Sequence, residues 1–495
     1  MGGVTRRARS GTAWISAGLV AAGLIGATGG VANAAGSPAG GAAARSAPAR
    51  SAVSPGAVSP GTVSPGTVSP GTEWLGYLDG PLHTSYSPAQ TLITPASASA
   101  LTQLWTRAIG APYTASPTVT SAAVYIGGAN GIFYKLSEHA GKVLSRISLG
   151  AQPALTCPAV GITSTATIAD DPRGHVQTVY VAGGDGYLYA LRASNLSVEW
   201  RSVIGIPSTK VNNYYDWSSP TVIGGKIYIG ISSGCDKPLV RGGLIEFSQA
   251  TGAKLAEYFT VPAGARNAGG SIWSSIGVAP DGDVYATTGN GPKRKPQLQS
   301  SEAILKFSPS LKLLGTFHVP QSQVTDDGDF GGSPVFFGGD VGACNKNGVF
   351  YALVQSTMKL AWRKRIANSD GATGECLAAP ADNGTYLFLA AGATTIGGAA
   401  YGGSVQERAP GDGTLVWATG LPNGVLGSPT LDGGGVLTVG TYAAGGGVYL
   451  INAATGAIVV KLTTGRTFGQ SVFADSRLYT ATSNGVTAWG LPASG

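Results

Sequence analysis

An eight-bladed β-propeller of four-stranded antiparallel blades is the fold class the sequence predicts, and three observations predict it. Gly is very abundant, with 77 residues, while only 12% of residues are charged. Short runs rich in Val, Ile, Tyr and Thr alternate with Gly-containing turns, which suits many strands and few helices. A small-Pro-Val signature recurs as SPTV at Ser116, CPAV at Cys157, SPTV at Ser219, SIGV at Ser275, SPVF at Ser333, APAD at Ala379, SPTL at Ser428 and QSVF at Gln470. The copies are spaced by roughly forty to sixty residues, a period that belongs to propellers and related arrays. The last unit, QSVFADSRLYTATSNGVTAWGL, stops after three strands, whereas Leu101–Ile109 (LTQLWTRAI) is a spare strand before the first unit. Closing the ring with that N-terminal strand completes the eighth blade and removes an exposed sheet edge.

The elements follow in order. Arg6, Arg7 and Arg9 precede an apolar run from Trp14 to Ala27 and then Ala32-Asn33-Ala34. This is the pattern of a secretory signal peptide over residues 1–34. The apolar run is short and Gly-rich for a membrane span. Residues 35–72 are Ala/Ser/Pro/Gly-rich and include SPGAVSPGTVSPGTVSPGT, which cannot build a core and reads as an extended spacer. The propeller occupies residues 73–495. Each unit offers four strands: in the first these are SPTV, VYIGGANG, IFYKLS and KVLSRISLG. Trp105, Trp200, Trp362 and Trp417 occupy matching places in outermost strands.

Charge and cysteines narrow the function classes. The formal charge of +7 includes the three leader arginines, and no Lys/Arg cluster with interleaved aromatics is present, so nucleic acid is not an expected partner. Cys157, Cys235, Cys344 and Cys376 lack the CxxC and CxxCH spacings, which excludes a zinc ribbon and covalent haem. Two disulfides suit an exported chain. Pairing Cys157 with Cys235 and Cys344 with Cys376 would staple adjacent blades. His83, His139, His175 and His318 are scattered and read as surface or turn histidines.

Topology places chemistry on one face. In a four-stranded blade, the loop entering the innermost strand and the loop after the second strand open on the same side. Trp273 enters the innermost strand of the fourth unit, and Asn290 follows its second strand. Asp329 enters the fifth unit, and Lys346 follows its second strand. Each alone has an ordinary reading: Trp273 as blade packing, Asn290-Gly291 as a turn, Asp326, Asp327 and Asp329 as an acidic turn, Lys346 as a surface lysine. The aromatic loop VNNYYDW (211–217) and the basic loop GPKRKPQLQSS (291–301) are expected on this same face.

The repeats, with ends such as AATGAIVV and GDGTLVW, resemble the pyrroloquinoline quinone (PQQ) repeat family. That family includes quinoprotein alcohol and polyvinyl-alcohol dehydrogenases and propeller lipoproteins of outer-membrane assembly. The run GGSIWSS…YATTGNGP, DDGDFGGSPVFF and CNKNGVFYAL is similar to its dehydrogenase members. The resemblance implies that Trp273 is the floor under the quinone, that Lys346 contacts the quinone oxygens, and that Asn290 ligates calcium. It also implies that Asp329 is the catalytic base and lies at the metal, with Asp236 in the place of the family's glutamate. The sequence departs from the pattern twice. It has no vicinal cysteine pair, and Lys237 follows Asp236. Two functions stay open: an exported PQQ- and calcium-dependent dehydrogenase of an alcohol or sugar hydroxyl with a separate electron acceptor, and a non-catalytic propeller that binds protein or polysaccharide at the cell envelope. A secreted or envelope-associated monomer is expected for both.

Overall fold

The structure, a computed structural model, describes residues 72–492 apart from 113, 156, 158, 175, 212, 265–267, 292–298, 326 and 369–374. The expected signal peptide, nearly all of the spacer, His175, Asp326 and most of the basic loop lie outside the described residues. Among the described residues, no helix is long and apolar enough to cross a membrane.

Eight four-stranded antiparallel blades form the ring. Blade 1 comprises Thr118–Val119, Ala123–Gly127, Ile132–Ser137 and Val143–Ser148. In blade 8 the outermost strand is Thr102–Arg107, which pairs antiparallel with Gly485–Gly490. The ring is thus closed by the N-terminal strand, as the repeat pattern predicts. Blade 6 carries an additional hairpin, Thr394–Ile396 with Ala399–Tyr401, between its second and third strands.

Each inner strand is buried on both faces, which explains why runs such as VYIG and VYVA are almost continuously apolar. Successive side chains on a strand point to opposite faces, so alternate residues feed two different seams. Val124 and Ile126 pack towards blade 8, whereas Ala123 and Tyr125 pack towards blade 2. Eight apolar clusters result, one per seam. The outermost strands alternate between half-buried and exposed positions, as in Val143–Ser148. Their tryptophans dock on the next blade: Trp105, Trp200, Trp362 and Trp417 lie over Gly141, Gly252, Gly413 and Gly456, where a Cβ would meet the indole at 2.3 to 2.6 Å. This contact is the physical basis of the recurring outer-turn Gly and outermost-strand Trp positions.

The signature itself forms a belt around the channel. Backbone N–H groups of Thr165, Ser219 and Ser275 donate to the hydroxyls of Ser219, Ser275 and Ser333 at 3.1, 3.0 and 3.0 Å. Gln470 N–H donates to Ser116 Oγ at 3.0 Å, which carries the belt across the closure. The blade 2 member corrects the sequence reading. Its innermost strand is Thr167–Asp170, so the signature there is Thr165-Ala166-Thr167-Ile168, and CPAV at Cys157 lies in the preceding loop. Ser275→Ala removes a buried acceptor from Ser219 N–H. Its expected cost is about 1–3 kcal/mol, read as a lower midpoint in urea with an unchanged slope.

The segment from Trp74 to Gln90 plugs the channel. Tyr86–Ser87 pairs parallel with Thr430–Asp432 of blade 7. Other bonds run to blades 1, 2, 4 and 6, from Trp74 to Val119, Leu75 to Ile168, Pro81 to Val278 and Thr84 to Asp382. Leu78, Asp79, His83 and Ser85 all have φ between 51° and 62°. That left-handed region is unfavourable for side chains other than glycine, so the surrounding bonds must hold it. His83, read from sequence as a surface or turn residue, is instead 2% exposed, and its Nδ1 donates to the Pro334 carbonyl at 2.7 Å. Burial lowers its pKa to about 4.

Candidate functional site

The site sits at the mouth of the channel opposite the plug and uses loops of blades 3, 4 and 5. Blade 4 begins with Gly277–Val278 and Val284–Thr287, and blade 5 with Val335–Phe337 and Asp340–Asn345. Trp273 and Asn290 flank the first pair, while Asp329 and Lys346 flank the second. All four come together. Trp273 Nε1 donates to Asp329 Oδ2 at 2.8 Å. Lys346 Nζ lies 2.9 Å from Asp329 Oδ1 and 3.1 Å from Asp327 Oδ2. The same ammonium is 5.4 Å from the Trp273 ring centre, a cation–π distance. Backbone pairing fixes the approach of the two blade 5 segments, since Lys346 N–H donates to the Asp329 carbonyl at 3.0 Å.

Asn290 forms the second half of the cluster. Its Nδ2 donates to Asp327 Oδ1 at 2.6 Å and Asp236 Oδ2 at 3.0 Å, and its Oδ1 is buried without a hydrogen-bond partner. The family resemblance groups Asn290 with Asp329 and Asp236. The structure places Asp327 between Asn290 and Lys346, a position that an acidic-turn reading of TDDGD does not reveal. Two disulfides brace this face: Cys157–Cys235 joins the blade 2 and blade 3 loops, and Cys344–Cys376 joins blades 5 and 6.

Electrostatics differentiate the carboxyls. Burial raises the Asp329 pKa to about 7; Lys346 opposes this, and Asp327 and Asp236 add to it. Burial acts in the same direction on Asp327, but Lys346 and the Asn290 amide outweigh it and hold that carboxyl below its ordinary value. Lys346 is 2% exposed. Burial works against its charge, yet Asp329, Asp327 and Glu375 hold its pKa well above the usual lysine value. The arrangement therefore keeps one firm carboxylate beside a second that exchanges its proton near neutrality.

Beside the charged cluster, Trp273, Trp217 and Phe468 close the channel mouth. Trp217 lies 5.8 Å from Trp273 at 55° and 4.9 Å from Phe468 at 49°. Beneath them a cavity of about 40 Å³ is lined by belt residues and by Tyr77 of the plug. The three rings remain half-buried, so they form an aromatic floor. Trp217 belongs to the 211–217 loop, whose Tyr214 bridges Ser233; Asn212 of that loop lies outside the described residues.

Residues 89–287 and 402–494 match a family model of PQQ-like repeats described as outer membrane protein assembly factor BamB. The chain belongs to the PQQ-like repeat family. Solved structures share the PQQ-like propeller at low identity. Quinohemoprotein alcohol dehydrogenase from Comamonas testosteroni matches with a TM-score of 0.67 and 16% identity over 86% of this chain and 81% of its own. A europium-containing methanol dehydrogenase matches with a TM-score of 0.65 and 16% identity over 82% and 89%. BamB from Moraxella catarrhalis matches with a TM-score of 0.51 and 16% identity over 80% and 99%. A search of curated protein sequences found no match. At these identities the structural matches establish the fold alone, so the PQQ-like repeat family leaves the site to be argued from its own chemistry.

Proposed function

We propose that this chain is an exported dehydrogenase that oxidises an alcohol or sugar hydroxyl with PQQ and a calcium-class cation. The observation that carries the reading is the convergence of buried Asp329, Lys346 and Asn290 with half-buried Trp273, Asp236 and Asp327. The buried Asn290 Oδ1, which has no hydrogen-bond partner, supports the cation. Rotating the Asn290 amide would point its orphaned Oδ1 at two carboxylate oxygens, which only a cation between them would favour. Asn290, Asp236 and Asp327 would hold it, with Asp329 adjacent, a set of hard oxygen donors. Trp273 offers an aromatic face for a planar group, and Lys346 offers an ammonium for its oxygens. When bound, the quinone supplies the hydride acceptor. Asp329, ionised above about pH 7, takes the hydroxyl proton as general base. Trp273 Nε1 fixes the carboxylate by holding Oδ2, and Asp327 keeps Lys346 from withdrawing. The sequence has no CxxCH haem motif, so a separate acceptor would be needed for the electrons. The two disulfides and the leader pattern support a secreted or envelope location.

A non-catalytic envelope scaffold is the second reading. It is favoured by one observation: the single Lys346 ammonium already pairs with both Asp327 and Asp329. Titration of the purified protein with calcium and then PQQ separates the two. Saturable quenching of tryptophan fluorescence at micromolar quinone is expected, and its absence would remove the dehydrogenase reading.

A further inference from the structure

We propose that Glu138, His139 and Asp475 form a zinc-binding clasp on the seam between blades 8 and 1. One ligand atom from each lies within 4.8 Å of the others. Glu138 is fully buried, and its two oxygens are treated differently. Oε1 accepts from Arg477 Nη1 and Tyr479 OH. Oε2 is buried, receives no hydrogen bond, and faces His139 Nδ1 at 2.7 Å. Arg477 and Tyr479 thus hold the carboxylate so that its second oxygen is aimed at the imidazole, the arrangement in which outer partners orient a metal ligand.

The imidazole nitrogen carries the next step. Arg477 Nη2 lies 3.4 Å from His139 Nδ1 on another side, so a donor and a carboxylate oxygen both confront that nitrogen. If Nδ1 is a lone pair for the guanidinium, it opposes Glu138 Oε2 as a second acceptor, and a cation must lie between them. A proton serves that pair alone. A metal ion also serves Asp475, whose turn is fixed by Asp475 N–H to the Thr72 carbonyl and Ser476 N–H to Gln90 Oε1, both 2.7 Å. One imidazole and two carboxylates suit zinc, whereas calcium and magnesium favour all-oxygen sets. Zinc bonds of about 2.0–2.2 Å place tetrahedral ligands roughly 3.3 Å apart, so the ligand atoms, which lie within 4.8 Å of one another, would adjust around the ion. With its side chain 72% exposed, His139 can make that adjustment and leave water the fourth position. The ion would cross-link the inner turn of blade 8 to the outer turn of blade 1, tying the three C-terminal strands of blade 8 to a neighbour that the backbone joins only through Thr102–Arg107.

The test uses the full chain, stripped with chelator and titrated with zinc. The thermal midpoint is expected to rise by about 3 °C at a hundredfold excess over Kd, with calorimetric binding at this site. His139→Ala and Asp475→Ala should each lose that shift. Both residues lie outside the buried pair of Glu138 with Arg477, so both variants should fold. No zinc-dependent shift in the natural chain, or the same shift in His139→Ala, overturns the clasp. A His139-dependent shift produced equally by calcium overturns its assignment to zinc.

Discussion

Asp329→Asn is expected to lower kcat for dye-linked alcohol oxidation by about 10²–10⁴-fold, the usual contribution of a positioned general base. The reason is chemical and not architectural. Asn cannot take the hydroxyl proton at any pH, but it keeps the shape of the carboxyl and can still accept from Trp273 Nε1. Lys346 loses one partner and retains Asp327 at 3.1 Å. The fold should therefore survive. Because burial already holds the Asp329 carboxyl near 7, a neutral residue there carries no charge-burial cost at pH 8. The thermal midpoint of the variant is expected to equal or exceed that of the natural protein at that pH. Quinone binding, followed by tryptophan fluorescence, should persist. Retained turnover with retained quinone binding would refute Asp329 as the base without touching the reading of the cofactor site.

The blades were legible because each signature residue has a geometric duty that few residue types meet. The Ser of SPTV must be small enough for the channel and must present a hydroxyl to the preceding blade's N–H. The Gly of the outer turn must admit the neighbouring indole. Such constraints recur at every repeat and so appear as periodicity. Where the belt residue is Thr165, the motif weakened, and CPAV at Cys157 imitated it. The plug was illegible for a related reason. Its bonds join backbone atoms of Trp74 to Ser87 to distant strands, and backbone partners impose little on side-chain identity. At the site, topology brought Trp273, Asn290, Asp329 and Lys346 to one face, since loop positions in a blade are determined by strand order. It did not reveal which acid each cation would choose. Asp327 differs from Asp329 by two positions in one turn, and only the fold shows that Asp327 bridges Asn290 to Lys346.

Lys346→Met is expected to destabilise the metal-free protein by about 3–5 kcal/mol near pH 8, the cost of leaving a buried charge without its partner. Met preserves much of the side-chain length, so lost charge dominates over lost volume. The affected groups are Asp327 and Asp329, both held within 3.1 Å of the ammonium. Lys346 has a folded pKa raised above its unfolded value, so its contribution is full below the ordinary lysine pKa and is lost only as pH rises through the higher folded value. Asp327 has a lowered pKa, so its contribution is present above the ordinary carboxyl range and is lost on acidification. Asp329 behaves oppositely: its raised pKa makes the fold bind a proton more tightly than the unfolded chain does between about 4 and 7, so stability falls as pH rises through that window. Without Lys346 both carboxyls should protonate more readily, and acid should relieve the variant. The difference in denaturation midpoint between natural protein and variant should therefore be largest above pH 7 and shrink towards pH 4. Lys346→Arg should restore most of it. Calcium supplies a second discriminating readout. If Asn290, Asp236 and Asp327 hold a cation, added calcium should recover part of the lost stability in Lys346→Met, because the ion replaces the missing positive charge. An equal loss at every pH, unaffected by calcium, would mean that Lys346 acts by packing alone.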